Sequence, residues 1–296
     1  MRLHRAVTLW VLALCLAFLP QFAAAGERSF AFTSIDYPGA TLTGAFGISP
    51  NGGIVGFYRD TLNNAHGFLL ADGTFTPIDF PGAAFTDARG ISSSGEIVGS
   101  YRRPGEPALN FHGYLLNKKG EFIPVNYPNH TSTIPQRITS TGLIVGCFHD
   151  TDTMGTMHGF SVDGSGFSGF SLAASMHNGI TPGGEKIAGL YTDMMTNQGH
   201  GYLLEGDNFT QIDFPGSTFT AAWDINPQGA IVGTYVDAAG QQHGFLLDKG
   251  EFTSIDYPGA RVTIVFGINP RGDLVGRYLD SANRTHGFVA TRADGE

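Results

Sequence analysis

Apolar and polar positions alternate along this chain in short runs, with no helical periodicity between them. From Phe30 to Ala290 one set of words recurs six times. The clearest copy reads Phe252-Thr253-Ser254-Ile255-Asp256-Tyr257-Pro258-Gly259-Ala260, then Gly267-Ile268-Asn269-Pro270, then Leu274-Val275-Gly276-Arg277-Tyr278, then His286-Gly287-Phe288. Each copy reads as four strands. The Phe-Thr-x-Ile-Asp-aromatic word alternates and is rich in β-branched residues, as a half-buried strand is. It runs into Pro-Gly, where proline presets the second position of a type II turn and glycine takes the positive φ at the third. A second strand ends at Ile48, Ile91, Ile138, Ile180, Ile225 and Ile268. The third is Ile-Val-Gly-x-Tyr. Its glycine recurs at 56, 99, 146, 189, 233 and 276. Glycine weakens a strand interior, so this recurrence predicts that another backbone comes close there. The fourth strand is His-Gly-aromatic-Leu-Leu or a near variant.

The His-Gly triplets begin at His66, His112, His158, His200, His243 and His286, a mean step of 44 residues. Four-stranded units at that period predict an all-β, six-bladed β-propeller. The ends support ring closure. The chain opens with a lone copy of the Ile-Asp word, Phe30 to Asp36, and closes on the strand His286 to Ala290. Pairing those two would complete the last blade and remove both open edges. An open solenoid is the alternative, and it would need caps at both ends. Two copies depart from the pattern. Asn126-Tyr127-Pro128-Asn129 lacks the acid and the glycine, and Ser168 to Ser175 has lost the word altogether.

Residues 1–25 read as a secretory signal peptide. Arg2 and Arg5 precede a 14-residue apolar run, and Ala23-Ala24-Ala25 offers a cleavage site before Gly26. The run is short of the ~20 residues that span a bilayer. Residues 26–296 are then one β-propeller domain of six repeats, secreted or periplasmic, with no membrane span after cleavage. Cleavage leaves 15 basic against 26 acidic residues, a net charge of −11. Without a basic cluster, such a chain is repelled by phosphate backbones, so nucleic acid is excluded as a partner. Cys147 is the sole mature thiol and reads as a strand residue. Other copies carry Phe57, Ser100, Leu190, Thr234 and Arg277 at its position. Glycine, at 42 residues, is about twice the usual ~7% and marks turns and tight packing.

The His-Gly-aromatic triplets, the Ile-Val-Gly-x-Tyr strands and the Ile-Asp-aromatic-Pro-Gly turns resemble the HAF-repeat family of extracellular proteins. The resemblance covers residues 30 to 290. It departs from the family's usual His-Ala-Phe in carrying glycine at 67, 113, 159, 201, 244 and 287. It implies export and a repeat-built β fold, and it carries over no catalytic residues.

Six identical His positions spread around a ring cannot converge on one ion with bonds of ~2 Å, so no metal or cofactor is expected. A local role is expected instead. Each His faces an acid six to eight residues upstream (Asp60, Asp150, Asp193, Asp237, Asp280), across a hairpin. The unit carrying Arg102-Arg103 lacks that Asp and tests the idea. Asp36, Asp79, Asp213 and Asp256 read as turn-organising residues beside Pro-Gly.

The residues free to differ lie two positions before each isoleucine, on the strand expected to face the axis: Phe46, Arg89, Gln136, Asn178, Trp223 and Phe266. One position before, Arg137 and Asp224 replace glycine. Aromatic faces, amides and charge suit a sugar-like or mixed polar ligand. The same residues could simply plug a channel. Asp87 and Asp224 fall in units two and five, on opposite walls, too far apart for a ~5–9.5 Å glycosidase pair. His177 is a lone candidate base. The reading is an exported, non-catalytic, monomeric propeller that binds an extracellular glycan, small molecule or protein. An extracellular hydrolase or lyase and a structural envelope protein are the alternatives.

Overall fold

The computed structural model describes residues 29–150 and 156–293, and the segment read as a signal peptide lies outside the described residues. All regular elements among the described residues are strands. No helix among them is long and apolar enough to cross a membrane.

β1 (Phe30–Ile35) comes first. β2 (Leu42–Ile48), β3 (Ile54–Arg59), β4 (Ala65–Ala71) and β5 (Thr74–Ile78) form unit one. β6 (Phe85–Ile91), β7 (Ile97–Arg102), β8 (His112–Leu116) and β9 (Phe122–Val125) form unit two. β10 (Ser132–Ile138), β11 (Ile144–His149), β12 (Met157–Asp163) and β13 (Gly166–Ala173) form unit three. β14 (Ser175–Ile180), β15 (Lys186–Asp193), β16 (Gln198–Glu205) and β17 (Asn208–Ile212) form unit four. β18 (Phe219–Ile225), β19 (Ile231–Val236), β20 (Gln242–Asp248) and β21 (Glu251–Ile255) form unit five. β22 (Val262–Ile268), β23 (Leu274–Leu279) and β24 (Thr285–Arg292) belong to unit six. Each unit is an antiparallel meander, and one parallel bridge, Ala65 to Phe85, joins the first two. Unit six takes its fourth strand from the other end of the chain. β1 pairs with β24, from Phe30 opposite Arg292 to Ile35 opposite Gly287.

The repeated words act locally. At Pro38-Gly39, Ala40 N–H donates to the Tyr37 carbonyl at 3.0 Å and Gly39 has φ 77°, the type II turn that the dipeptide predicts. Tyr37 N–H then donates to Thr43 Oγ1 at 3.0 Å, tying the turn to the next inner strand. Phe80–Thr86, Tyr127–Thr133, Phe214–Thr220 and Tyr257–Thr263 repeat the bond. The glycine of Ile-Val-Gly-x-Tyr is required by a close approach. A Cβ at Gly56 would strike the Gly44 carbonyl and the Phe68 ring, and one at Gly276 the Ile264 carbonyl and the Phe288 ring.

The core is divided. Val55 and Ile78 of unit one pack with Ala88, Ile97, Tyr101 and Tyr114 of unit two. The same sharing joins units two and three, four and five, and five and six. Ile35 and Val275 close against Ala45, Ile54, Tyr58 and Phe68 in one further cluster, which joins the last unit to the first. No unit has an apolar centre of its own, so each depends on its neighbours for burial.

His158 is held by Asp150 as expected, His200 by Asp213 rather than Asp193, and three other His residues by two acids rather than one. His286 Nδ1 lies 2.7 Å from Asp36 Oδ1 and its Nε2 lies 3.3 Å from Asp280 Oδ2. His66 sits likewise between Asp79 and Asp60, and His243 between Asp256 and Asp237. Asp36, Asp79, Asp213 and Asp256 therefore serve mainly as histidine partners. Pro-Gly delivers them beside the ring of the neighbouring strand, and sequence spacing cannot show that cross-strand contact. In the unit that lacks the upstream Asp, Glu106 replaces it at 2.9 Å from His112 Nε2. Each ring also lies against the third-strand aromatic, Phe148 in unit three and tyrosine elsewhere, as His66 stacks on Tyr58 at 5.0 Å, and Tyr58 stacks on Tyr37 at 3.6 Å.

Candidate functional site

The six inner strands, β2, β6, β10, β14, β18 and β22, share one irregularity. Each has a β-bulge, between Ala45 and Gly47, Ala88 and Gly90, Pro135 and Arg137, His177 and Gly179, Ala222 and Asp224, and Val265 and Gly267. The bulged residues are Phe46, Arg89, Gln136, Asn178, Trp223 and Phe266, the set that sequence position singled out. A bulge leaves one residue out of the ladder and re-aims its side chain and carbonyl. The next residue is glycine in four units because backbone crowds the centre. A Cβ at Gly47 would lie 2.6 Å from the Arg89 carbonyl, and one at Gly90 2.6 Å from that of Gln136.

Arg137 and Asp224 occupy that centre. Arg137 Nη1 donates to the carbonyls of Arg89 (3.0 Å) and Gln136 (2.8 Å), and Nη2 to those of Phe46 (3.0 Å) and Phe266 (2.5 Å). Its Nε lies 3.2 Å from Asp224 Oδ2. One guanidinium thus touches five of the six inner strands. Asp224 also accepts N–H bonds from Ile225 and Ile268. Burial pushes its carboxyl pKa up, and the Arg137 charge opposes that shift. Asn178, which is 1% exposed, donates from Nδ2 to the Ala222 carbonyl. It is a strand tie and does not line the larger cavity.

The Arg137–Asp224 pair separates two spaces. On one side the closing isoleucines of all six inner strands line a narrow cavity of about 80 Å³. On the other lies a cup of about 310 Å³. Phe46, Phe266 and Trp223 form one wall, joined edge to face at 5.0 and 5.1 Å. Arg89 and Gln136 form the other. The residues expected either to bind a ligand or to plug a channel are thus divided between a blocked floor and an open cup.

Arg89 is engaged. Its Nε and Nη2 lie 2.8 and 2.7 Å from Asp87 Oδ2, while Asp87 Oδ1 accepts from Ser100 N and Oγ. Both acids of the inner strands are therefore held by arginines. His177 is 4% exposed, and burial pushes its imidazole down to about 4. Its Nδ1 donates to the Tyr202 hydroxyl at 2.5 Å, which donates to the Met176 carbonyl. The candidate base is thus a buried packing group. Burial also pushes the Cys147 thiol up to about 12.

Sequence reasoning missed Arg277 and Gln242, which also line the cup. Arg277 was legible in principle. It is the only cation at the position where the other units carry Phe57, Ser100, Cys147, Leu190 and Thr234.

No family model matches the chain, and no curated protein matches it. Solved structures do. It is similar to TolB from Acinetobacter baumannii (11% identity, TM-score 0.57), with 82% of this chain and 64% of that one covered. It is similar to a gluconolactonase from Xanthomonas campestris (12%, TM-score 0.53, 91% and 92% covered). A third is the six-bladed fungal lectin of Aleuria aurantia (9%, TM-score 0.51, 87% and 93% covered). The fold is a β-propeller. At these identities the likeness carries fold alone, and the propeller's bulges and cup must carry the function.

Proposed function

We propose that the chain is an exported, six-bladed β-propeller of the HAF-repeat type that binds a small polar, sugar-like ligand in the 310 Å³ cup without chemistry of its own. Six four-stranded units, with β1 on β24, support the blade count and the closure. Residues 1–25 support export. The cup carries the reading. Its volume is at the lower end of small-molecule sites, ~300–1,000 Å³, and it sets an aromatic wall against guanidinium and amide donors. Phe46, Phe266 and Trp223 can take the apolar face of a ring, while Gln136 and Arg89 can direct hydroxyls. The lectin of this fold recognises fucose, which gives the architecture a precedent for sugar binding.

Trp223→Ala tests this directly. On a glycan array and by titration calorimetry, the wild-type protein is expected to bind at least one sugar ligand, and Trp223→Ala to weaken it about tenfold or more. Equal binding by a folded Trp223→Ala and a folded Phe46→Ala protein would move the site elsewhere.

A further inference from the structure

Three arginines reach the cup or its floor, and two of them are spoken for. Arg89 is paired with Asp87, and Arg137 with Asp224 and four carbonyls. Arg277 is different. Among the described residues no carboxylate and no hydrogen-bond acceptor pairs with it, and the Phe266 ring lies 5.7 Å from its guanidinium carbon. Burial and the Arg89 charge both lower its pKa, so the protein itself does little to compensate its charge. An arginine cannot discharge that cost by losing its proton. The local balance is three cations against two acids, in a chain with a net charge of −9. The surplus charge stands beside the Phe266 ring of the aromatic wall.

Resting on the sugar-binding reading above, we propose that the cup selects an acidic monosaccharide, a hexuronate unit, whose carboxylate pairs with Arg277. The C–H face of the ring lies on Phe266 and Trp223, and Gln136 and Gln242 take hydroxyls. The carboxylate then sits in the planar fork of Arg277, a charge-assisted geometry about twice as strong as a neutral hydrogen bond. Trp223 Nε1, buried without a partner, is a further donor at this wall.

The test is calorimetric titration of the whole protein with D-glucuronate, D-galacturonate, D-glucose, D-galactose and benzoate. A uronate preference of tenfold or more over the matched neutral sugar is expected, as one charge-assisted contact of ~1.5–3 kcal/mol would give. Arg277→Thr installs the residue that unit five carries at Thr234, a substitution the fold already accommodates. It should abolish the preference by weakening the uronates tenfold or more relative to the neutral sugars, and thermal melting checks folding. Equal affinity for acidic and neutral sugars overturns the Arg277 assignment and leaves the sugar cup standing. Benzoate binding as tightly as the uronates overturns the sugar portion. No binding of any sugar overturns the cup reading itself. A uronate preference that survives in a folded Arg277→Thr protein also overturns the assignment.

Discussion

Arg137 and Arg277 stand on opposite sides of one boundary and teach opposite lessons. Arg137, at the floor, donates to four carbonyls and forms an ion pair with one carboxylate. Arg277, in the cup, has only an aromatic ring for company. Buried polar groups are normally satisfied, so an arginine whose terminal nitrogens are spent on four carbonyls is part of the structure, while one that meets no acceptor among the described residues keeps its donors free. The plug and the pocket are therefore not rival readings. The floor ties five inner strands together, and the cup beside it keeps Arg277 free of acceptors among the described residues.

The sharpest way to break the contrast is to empty the floor. Arg137→Met would strand the Asp224 carboxylate and uncap four carbonyls, costing about 3–5 kcal/mol. For a domain of this size the melting temperature should fall by roughly 10 °C or more. Adding Asp224→Asn should restore part of it, because a neutral amide is cheaper to bury than an unpaired charge. Arg277→Thr should leave the melt nearly unchanged. If both single variants melted alike, the distinction between floor and cup would collapse.

The next effect concerns the polar packing around His177. Its imidazole is depressed from 6.5 to about 4, so between those values the unfolded chain binds more protons than the folded one. Stability is full above about pH 7 and falls as pH drops from 6.5 towards 4, by on the order of 3 kcal/mol. Urea melts across that range measure it, and His177→Leu should flatten the slope. A wild-type slope unchanged in that variant would assign the acid limb to other groups.

The smallest effect is at the periphery. His243→Ala removes one clamp between Asp256 and Asp237, both well exposed. Such exposed pairs contribute little, and the stack on Tyr235 adds a small share. Denaturant midpoints for His243→Ala and for Arg137→Met should differ severalfold. A clamp loss as large as the floor loss would mean that the repeated His residues do more than hold hairpins.

Much of this was legible along the chain. Alternation, Pro-Gly and the strand glycines predict the meanders, and the lone Phe30–Asp36 word predicts the partner of β24. These are local signals, read by turn chemistry and by period. The ring Phe46, Arg89, Gln136, Asn178, Trp223 and Phe266 was also legible as the place where copies differ. What each member does was not. Asn178 and Gln136 are both amides, yet only Gln136 faces the cup, because Asn178 is drawn onto the Ala222 carbonyl of the next unit. The second aspartate on His286 was likewise invisible, since Asp36 and His286 are 250 residues apart.

The sequence alone determined the strand words, their turns, the sixfold repetition and the positions at which variation is allowed. Tertiary structure decided which of those variable side chains neutralise one another. That depends on distances across the axis between units far apart in the chain, where one guanidinium can reach five strands and another is left with none.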